Sequence, residues 1–152
     1  MPRIYHANQL RSGRYSLTSQ IYVLTAVTHR RQPFFTDFRV GRLLVREFRQ
    51  AQLDGWAGSL AWVVMPDHFH WLIELKQTDL PTLMLAIKSR AAREVNAYLG
   101  RSGQFWQRGF HDRAVRREED VQEVARYIVT NPIRAGLVRR VQDYPLWDAK
   151  WI

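Results

Sequence analysis

The sequence predicts an α+β sandwich, an antiparallel sheet with helices on one face. Two short runs, 20–28 and 56–65, are rich in β-branched and aromatic residues. A third, 68–75, alternates strictly: Phe69, Trp71, Ile73 and Leu75 against His68, His70, Leu72 and Glu74. That period of two marks a strand with one buried face. Two longer stretches, from Thr36 or Asp37 to about Leu53 and from Asp79 to about Leu99, carry apolar residues at helical spacing instead.

In chain order, residues 1–19 are polar and basic, with Arg3, Arg11 and Arg14, and read as an irregular arm. The first strand follows, then the loop His29-Arg30-Arg31-Gln32-Pro33. Thr36 or Asp37 caps a helix running to about Leu53, with Phe38, Leu44, Val45 and Phe48 inward, and Gly55 stops it. Residues 56–65 are apolar on both faces, the mark of a central strand. Pro66-Asp67 turns the chain back into 68–75 as a β-hairpin. Asp79 and Pro81 start the next helix, and 100–103 end it.

Residues 105–115 read as a fourth, irregular strand bent at Gly109. A helix from about 118 to 130 turns Val121, Val124, Ala125 and Ile128 inward, its acidic first turn matching the helix dipole. Asn131-Pro132 breaks it and opens a short helix through Leu137. The tail, 139–152, is aromatic and is expected to dock on the body. This β-α-β-β-α-β order is that of a ferredoxin-like sandwich, here with extra C-terminal helices. The second sheet face is left free for a ligand, and 1–152 reads as a single domain.

Six Trp, seven Phe and six Tyr supply enough apolar mass for a real core. Lys and Arg total 23 against 14 Asp and Glu, and the net charge of +9 favours a polyanionic partner, most commonly nucleic acid. Arg is much the commoner cation, and its guanidinium grips phosphate with two bonds and stacks on bases. The absence of cysteine removes disulfides, thiolate metal sites and a Cys nucleophile. It fits an intracellular, cytoplasmic protein. No apolar run approaches the ~20 residues that span a bilayer. The first residues lack the apolar segment of a signal peptide, so no membrane partner is expected.

His68 and His70 lie two apart on a strand, which puts them on one face roughly 6–7 Å apart. Both imidazoles can lean towards one small ion. A His-x-His by itself is more often a hydrogen-bonded surface pair. In the last long helix Glu123, Tyr127 and Asn131 fall at i, i+4 and i+8, a polar stripe beside Val124 and Ile128. A phenol can be a covalent nucleophile, though tyrosine ionises only near ~10 and needs a polarised electrophile. A divalent ion on a phosphate oxygen supplies that polarisation, and Asn131 can offer it an oxygen. The plain alternative is a boundary tyrosine in water, with Asn131 a cap before Pro132.

His68-Phe69-His70, within Met-Pro-Asp-His-Phe-His-Trp-Leu, resembles the HUH motif of single-tyrosine HUH transposases. Trp106-Gln-Arg-Gly-Phe-His and Tyr127-Ile-Val-Thr-Asn-Pro-Ile-Arg-Ala-Gly-Leu-Val resemble the REP-associated tyrosine transposases. The likeness runs from the first strand to about Val138. It implies a metal-dependent endonuclease and strand transferase acting on REP-like DNA hairpins with a flanking single strand. Tyr127 would attack the scissile phosphate, leaving a 5′-phosphotyrosine link. His68, His70 and Asn131 would hold Mg²⁺ or Mn²⁺. Related insertion-sequence enzymes use Gln at the third position, and Asn is shorter. Imidazole nitrogen by itself points towards Zn²⁺ or Mn²⁺ rather than Mg²⁺.

Arg14, Arg30, Arg31, Lys88, Arg93, Arg108, Arg113 and Arg134 are candidate DNA contacts, and Trp106 and His111 candidate base-stacking groups. The other reading makes Trp106 and Phe110 core. A single tyrosine holds one cut end at a time, so the protein works as a homodimer or as a monomer making sequential cuts. The rival class is a non-catalytic binder of structured single strands. A weaker third reading is a hydrolase that uses water at His68 and His70.

Overall fold

The computed structural model describes residues 20–116 and 119–151. The expected arm with Arg14, and positions 117 and 118, lie outside them. Five strands form one sheet: β1 (Gln20–Val27), β2 (Ala57–Met65), β3 (His68–Leu75), β4 (His111–Ala114) and β5 (Trp147–Ala149). Their spatial order is β4-β1-β3-β2-β5, with every pairing antiparallel. The helices are α1 (Phe38–Leu53), α2 (Leu80–Leu99), α3 (Val121–Val129) and the short α4 (Asn131–Arg134). The α+β class and the β-α-β-β-α-β core are as the sequence predicts.

Local chemistry sets the helix ends. The Asp37 carboxylate accepts from the Arg39 amide and caps α1, and the Asp79 carboxylate accepts from the Thr82 amide and caps α2. Gly100, at φ +65°, ends α2 in the left-handed conformation that glycine adopts without steric cost.

α1 and α2 cover one sheet face. Phe69, Trp71 and Ile73 point into that layer, and Phe48 of α1 stacks on Trp71 with ring centroids 4.5 Å apart. The opposite face carries His68 and His70. It is not wholly open, which corrects the expectation of a free second face. Ala125, Ile128 and Val129 of α3 pack there on Leu60, Ala61, Val63, Met65 and Leu72. The reason is in β2 itself: a strand apolar on both faces needs a cover on each.

The tail supplies a strand that the sequence reading missed. β5 pairs with β2 through Ala61 and Ala149 and through Val63 and Trp147. Without it β2 would be an edge strand, a poor fit to its two-sided apolar pattern. Leu146 lies against Gly41 of α1, and Tyr144 Oη donates to the Val64 carbonyl at 2.6 Å. The fourth strand is shorter than predicted. Phe105, Trp106 and Phe110 turn inward, and Gly109, at φ +76°, bends the chain before β4. Among the described residues no helix is long and apolar enough to cross a membrane.

Candidate active site

β3 sets the His68 and His70 rings side by side, with centroids 5.0 Å apart. The strand register defines their neighbours. Thr25 and Val63 flank His70, and Val27 and Met65 flank His68. Thr25 in turn faces His111 of β4. One row across the sheet therefore runs His111, Thr25, His70, Val63.

Each imidazole is held through Nδ1. Thr25 Oγ1 lies 2.7 Å from His70 Nδ1, and Asp67 Oδ1 lies 2.7 Å from His68 Nδ1. With Nδ1–H donating to these oxygens, each Nε2 presents a lone pair. A carboxylate or hydroxyl behind the ring is the usual support of a metal-ligating histidine. Arg31 Nη1 also donates to Asp67, at 3.1 Å. Burial alone would raise the Asp67 carboxyl, but its contacts with His68 and Arg31 outweigh this and hold it below its ordinary value. His70 is pushed down to about 4, first by burial, then by His68 and by Arg134. It is therefore neutral near pH 7, the form that coordinates metals.

Tyr127 stands on α3 beside the buried Ile128, with its own side 66% exposed. Its hydroxyl makes no hydrogen bond among the described residues, to either imidazole or elsewhere. Arg134 reaches back over the ring, Cζ 3.7 Å from the centroid. The same guanidinium donates to the Tyr127 carbonyl and, at 2.7 Å, to Thr130 Oγ1. Its charge acts on His70 as well. The Tyr127–Arg134 stack and the imidazole pair thus sit at one end of one sheet face. Asn131 opens α4 half-buried, and its amide makes no hydrogen bond among the described residues.

Among the candidate DNA contacts, Arg31 touches the His68 support, and His111 is exposed on the His70 row. Arg30 and Arg31 both take positive φ, +55° and +51°. Two adjacent non-glycine residues there store strain of about 1–2 kcal/mol each. Arg108 is exposed on the loop that runs past the end of β1, where the Gln107 amide donates to the Val27 carbonyl. Arg113 lies on the histidine face but is paired with Glu119 at 3.1 Å.

Three expected contacts are corrected. Trp106 is 7% exposed, packs edge-on against Phe69 and Phe105, and donates its indole N–H to the Lys88 carbonyl. It is core and offers no face to a base. The Lys88 ammonium is spent on the Gln107 and Gly109 carbonyls, at 3.2 and 2.6 Å. Arg93 rides on α2, on the far side of the sheet from the histidines, so it does not rim this cleft.

The family model described as "Transposase IS200 like" matches residues 16–131, most of the chain and every residue of the imidazole pair and the tyrosine helix. The chain belongs to the IS200-like transposase family. Within that family, the REP-associated tyrosine transposase of Escherichia coli (strain K12) is 30% identical over 87 residues. That match covers 56% of this chain and 50% of the relative, so the chain spans about half of that protein's length. A Haemophilus influenzae (strain Rd) protein that bears the same name provisionally is 26% identical over 141 residues, covering 82% and 77% of the two chains. A solved structure of a REP-associated tyrosine transposase bound to a REP hairpin superposes with a TM-score of 0.65 at 25% identity. It covers 88% of this chain and 79% of that one.

Thr25 and Asp67 hold the two imidazoles through Nδ1, contacts that the sequence reading missed. Asp67 carried a signal, a carboxylate adjacent to His68. Thr25 becomes visible only once the β1–β3 register is known.

Proposed function

We propose that this chain cuts and rejoins single-stranded DNA at hairpin-forming sequences, with Tyr127 as the attacking group. The observation that carries the reading is the pair of histidines with both Nδ1 atoms anchored, facing the end of the sheet where Arg134 clamps an exposed tyrosine.

Tyr127 Oη attacks the scissile phosphorus. A phosphorus–oxygen bond to the phenol forms, the bond to the 3′ oxygen breaks, and the phenol proton passes to solvent. The departing 3′ oxygen takes up a proton, giving a free 3′-hydroxyl and a 5′-phosphotyrosine. Attack of a 3′-hydroxyl on that link reverses the step and rejoins the strand. Arg134 holds the phenol from above and brings positive charge towards the phosphate. Arg31 keeps Asp67 ionised and His68 oriented. His111, Arg30 and Arg108 flank the same end and are suited to the single strand beside the cut.

The donor set fits a divalent ion: two imidazoles with supported Nδ1 atoms and, among the described residues, no hydrogen bond at either Nε2 or at the Asn131 side-chain amide. His68, His70 and Asn131 would hold it, and Mg²⁺ or Mn²⁺ bound there would polarise a phosphate oxygen. The imidazole pair leans the choice towards Mn²⁺.

The test is a denaturing gel of the protein with a labelled REP-like hairpin and Mn²⁺. The enzyme gives a slow-migrating covalent band that Tyr127→Phe removes. Binding with no band under any divalent ion would leave only a binder. Cleavage that survives in Tyr127→Phe would point to water as the nucleophile.

A further inference from the structure

α1 carries a row of arginines that the active site does not use. Arg39, Arg42, Arg46 and Arg49 recur at spacings of three, four and three along one outer stripe. Their side chains form no ion pair and no hydrogen bond with any described residue. Arg93 of α2 adjoins the row: together with Arg46 and Arg90 it acts on the Glu47 carboxylate at the seam between the two helices. Glu47 and Glu94 offset part of this field and leave a clear positive excess.

The row cannot serve the cut. α1 lies on the sheet face opposite the imidazoles, with Phe48 stacked on Trp71 between them. A helix of roughly 10 Å diameter and the sheet itself separate the two surfaces. The row extends over eleven residues, ten steps of 1.5 Å or about 15 Å. Along one strand of duplex, at ~3.4 Å per phosphate, that length spans about four phosphates.

We propose that the outer face of α1, with Arg93 of α2, is a second DNA-binding surface that grips the backbone of double-stranded DNA. The bound duplex is a segment separate from the hairpin being cut, because the row lies on the sheet face opposite the imidazoles. This rests on the proposed function only in taking DNA as the partner, and it needs no cleavage.

The probe is a blunt, fluorescently labelled duplex with no single strand, titrated with Tyr127→Phe protein at 50–200 mM NaCl. Substituting all four α1 arginines by Gln should weaken binding at least 10-fold at the low-salt end. The slope of log K against log salt should fall by about 3.6, that is about 0.9 for each of four lost phosphate contacts. In otherwise wild-type protein, the same four substitutions should leave adduct formation on the labelled REP-like hairpin unchanged. Removing the same charge at Lys76, Arg139, Arg140 and Lys150 should have less than a third of the effect on duplex binding. Equal loss in both sets, or no loss in the first, overturns the proposal. A ternary complex of protein, saturating long-stem hairpin and labelled duplex is the result expected. Exclusion of the duplex by the hairpin would give the surface to the stem and overturn the proposal.

Discussion

The guanidinium of Arg134 sits over the ring of Tyr127, Cζ 3.7 Å from its centroid, while bonding the Tyr127 carbonyl and the Thr130 hydroxyl. An exposed phenol on a helix would otherwise sample several rotamers. A cation stacked at an exposed site is worth about 0.5–1 kcal/mol, and positioning for in-line attack adds to that. Arg134→Ala should slow adduct formation about 10-fold while shifting thermal stability little. Lys at this position keeps the charge but cannot stack and form two directed bonds at once, so Arg134→Lys should fall between. Single-turnover rates on the hairpin substrate give the comparison.

Thr25→Val keeps the volume at this position and removes the oxygen behind His70. Loss of a group supporting a metal-ligating histidine typically costs 10–100-fold in metal affinity. The Mn²⁺ concentration giving half-maximal adduct should rise by about that factor, with the maximal rate recovered at saturating metal. Asp67→Asn should act in the same direction through His68.

Lys88 gives a pH signature in stability. Burial pushes it down to about 8 from an ordinary 10.5, although the two carbonyls it bonds favour its charged form. Between those values the unfolded chain binds more protons than the folded one, so this residue's contribution to stability rises with pH. The penalty is fully present below pH 8 and is relieved above it. The stability difference between wild type and Lys88→Met should therefore grow, by about 1 kcal/mol after allowing for partial exposure, from pH 7.5 to 9.5. Urea unfolding at the two pH values measures it.

Much of the fold was legible because its signals are local. The alternation in 68–75 fixed which face holds the histidines, and Asp37, Asp79 and Gly100 marked helix ends with side chains or backbone that do the capping. The tail strand was not legible. Three residues, Trp147–Ala149, are too few to show a period, and they are a strand only because β2 offers an unpaired edge. Trp106 shows the same limit, since an aromatic beside an arginine reads alike in a core and in a cleft. Only packing against Phe35, Phe69 and Phe105 decides it. The stack of Arg134 on Tyr127 joins residues seven apart across the break at Pro132, a relation that spacing within one helix does not encode.

The tail should also be measurably coupled to α1. A methyl at Gly41 would collide with Leu146, so Gly41→Ala should destabilise the protein by about 1–3 kcal/mol. Leu146→Ala, which empties a buried site, should cost about 2–5 kcal/mol. In the double variant the new methyl fills part of the space that Leu146 vacates. Its loss should be smaller than the two single losses added together, as read from denaturation midpoints at constant slope.

The whole reading turns on whether residue 127 becomes bonded to DNA. Peptide mass spectrometry of the protein–hairpin adduct, after nuclease and trypsin digestion, reads this directly. The account predicts a nucleotide attached through its 5′-phosphate to the peptide holding Tyr127, together with a released strand ending in a 3′-hydroxyl. A nucleotide on any other residue, or cleaved DNA with every tyrosine peptide unmodified, would contradict it.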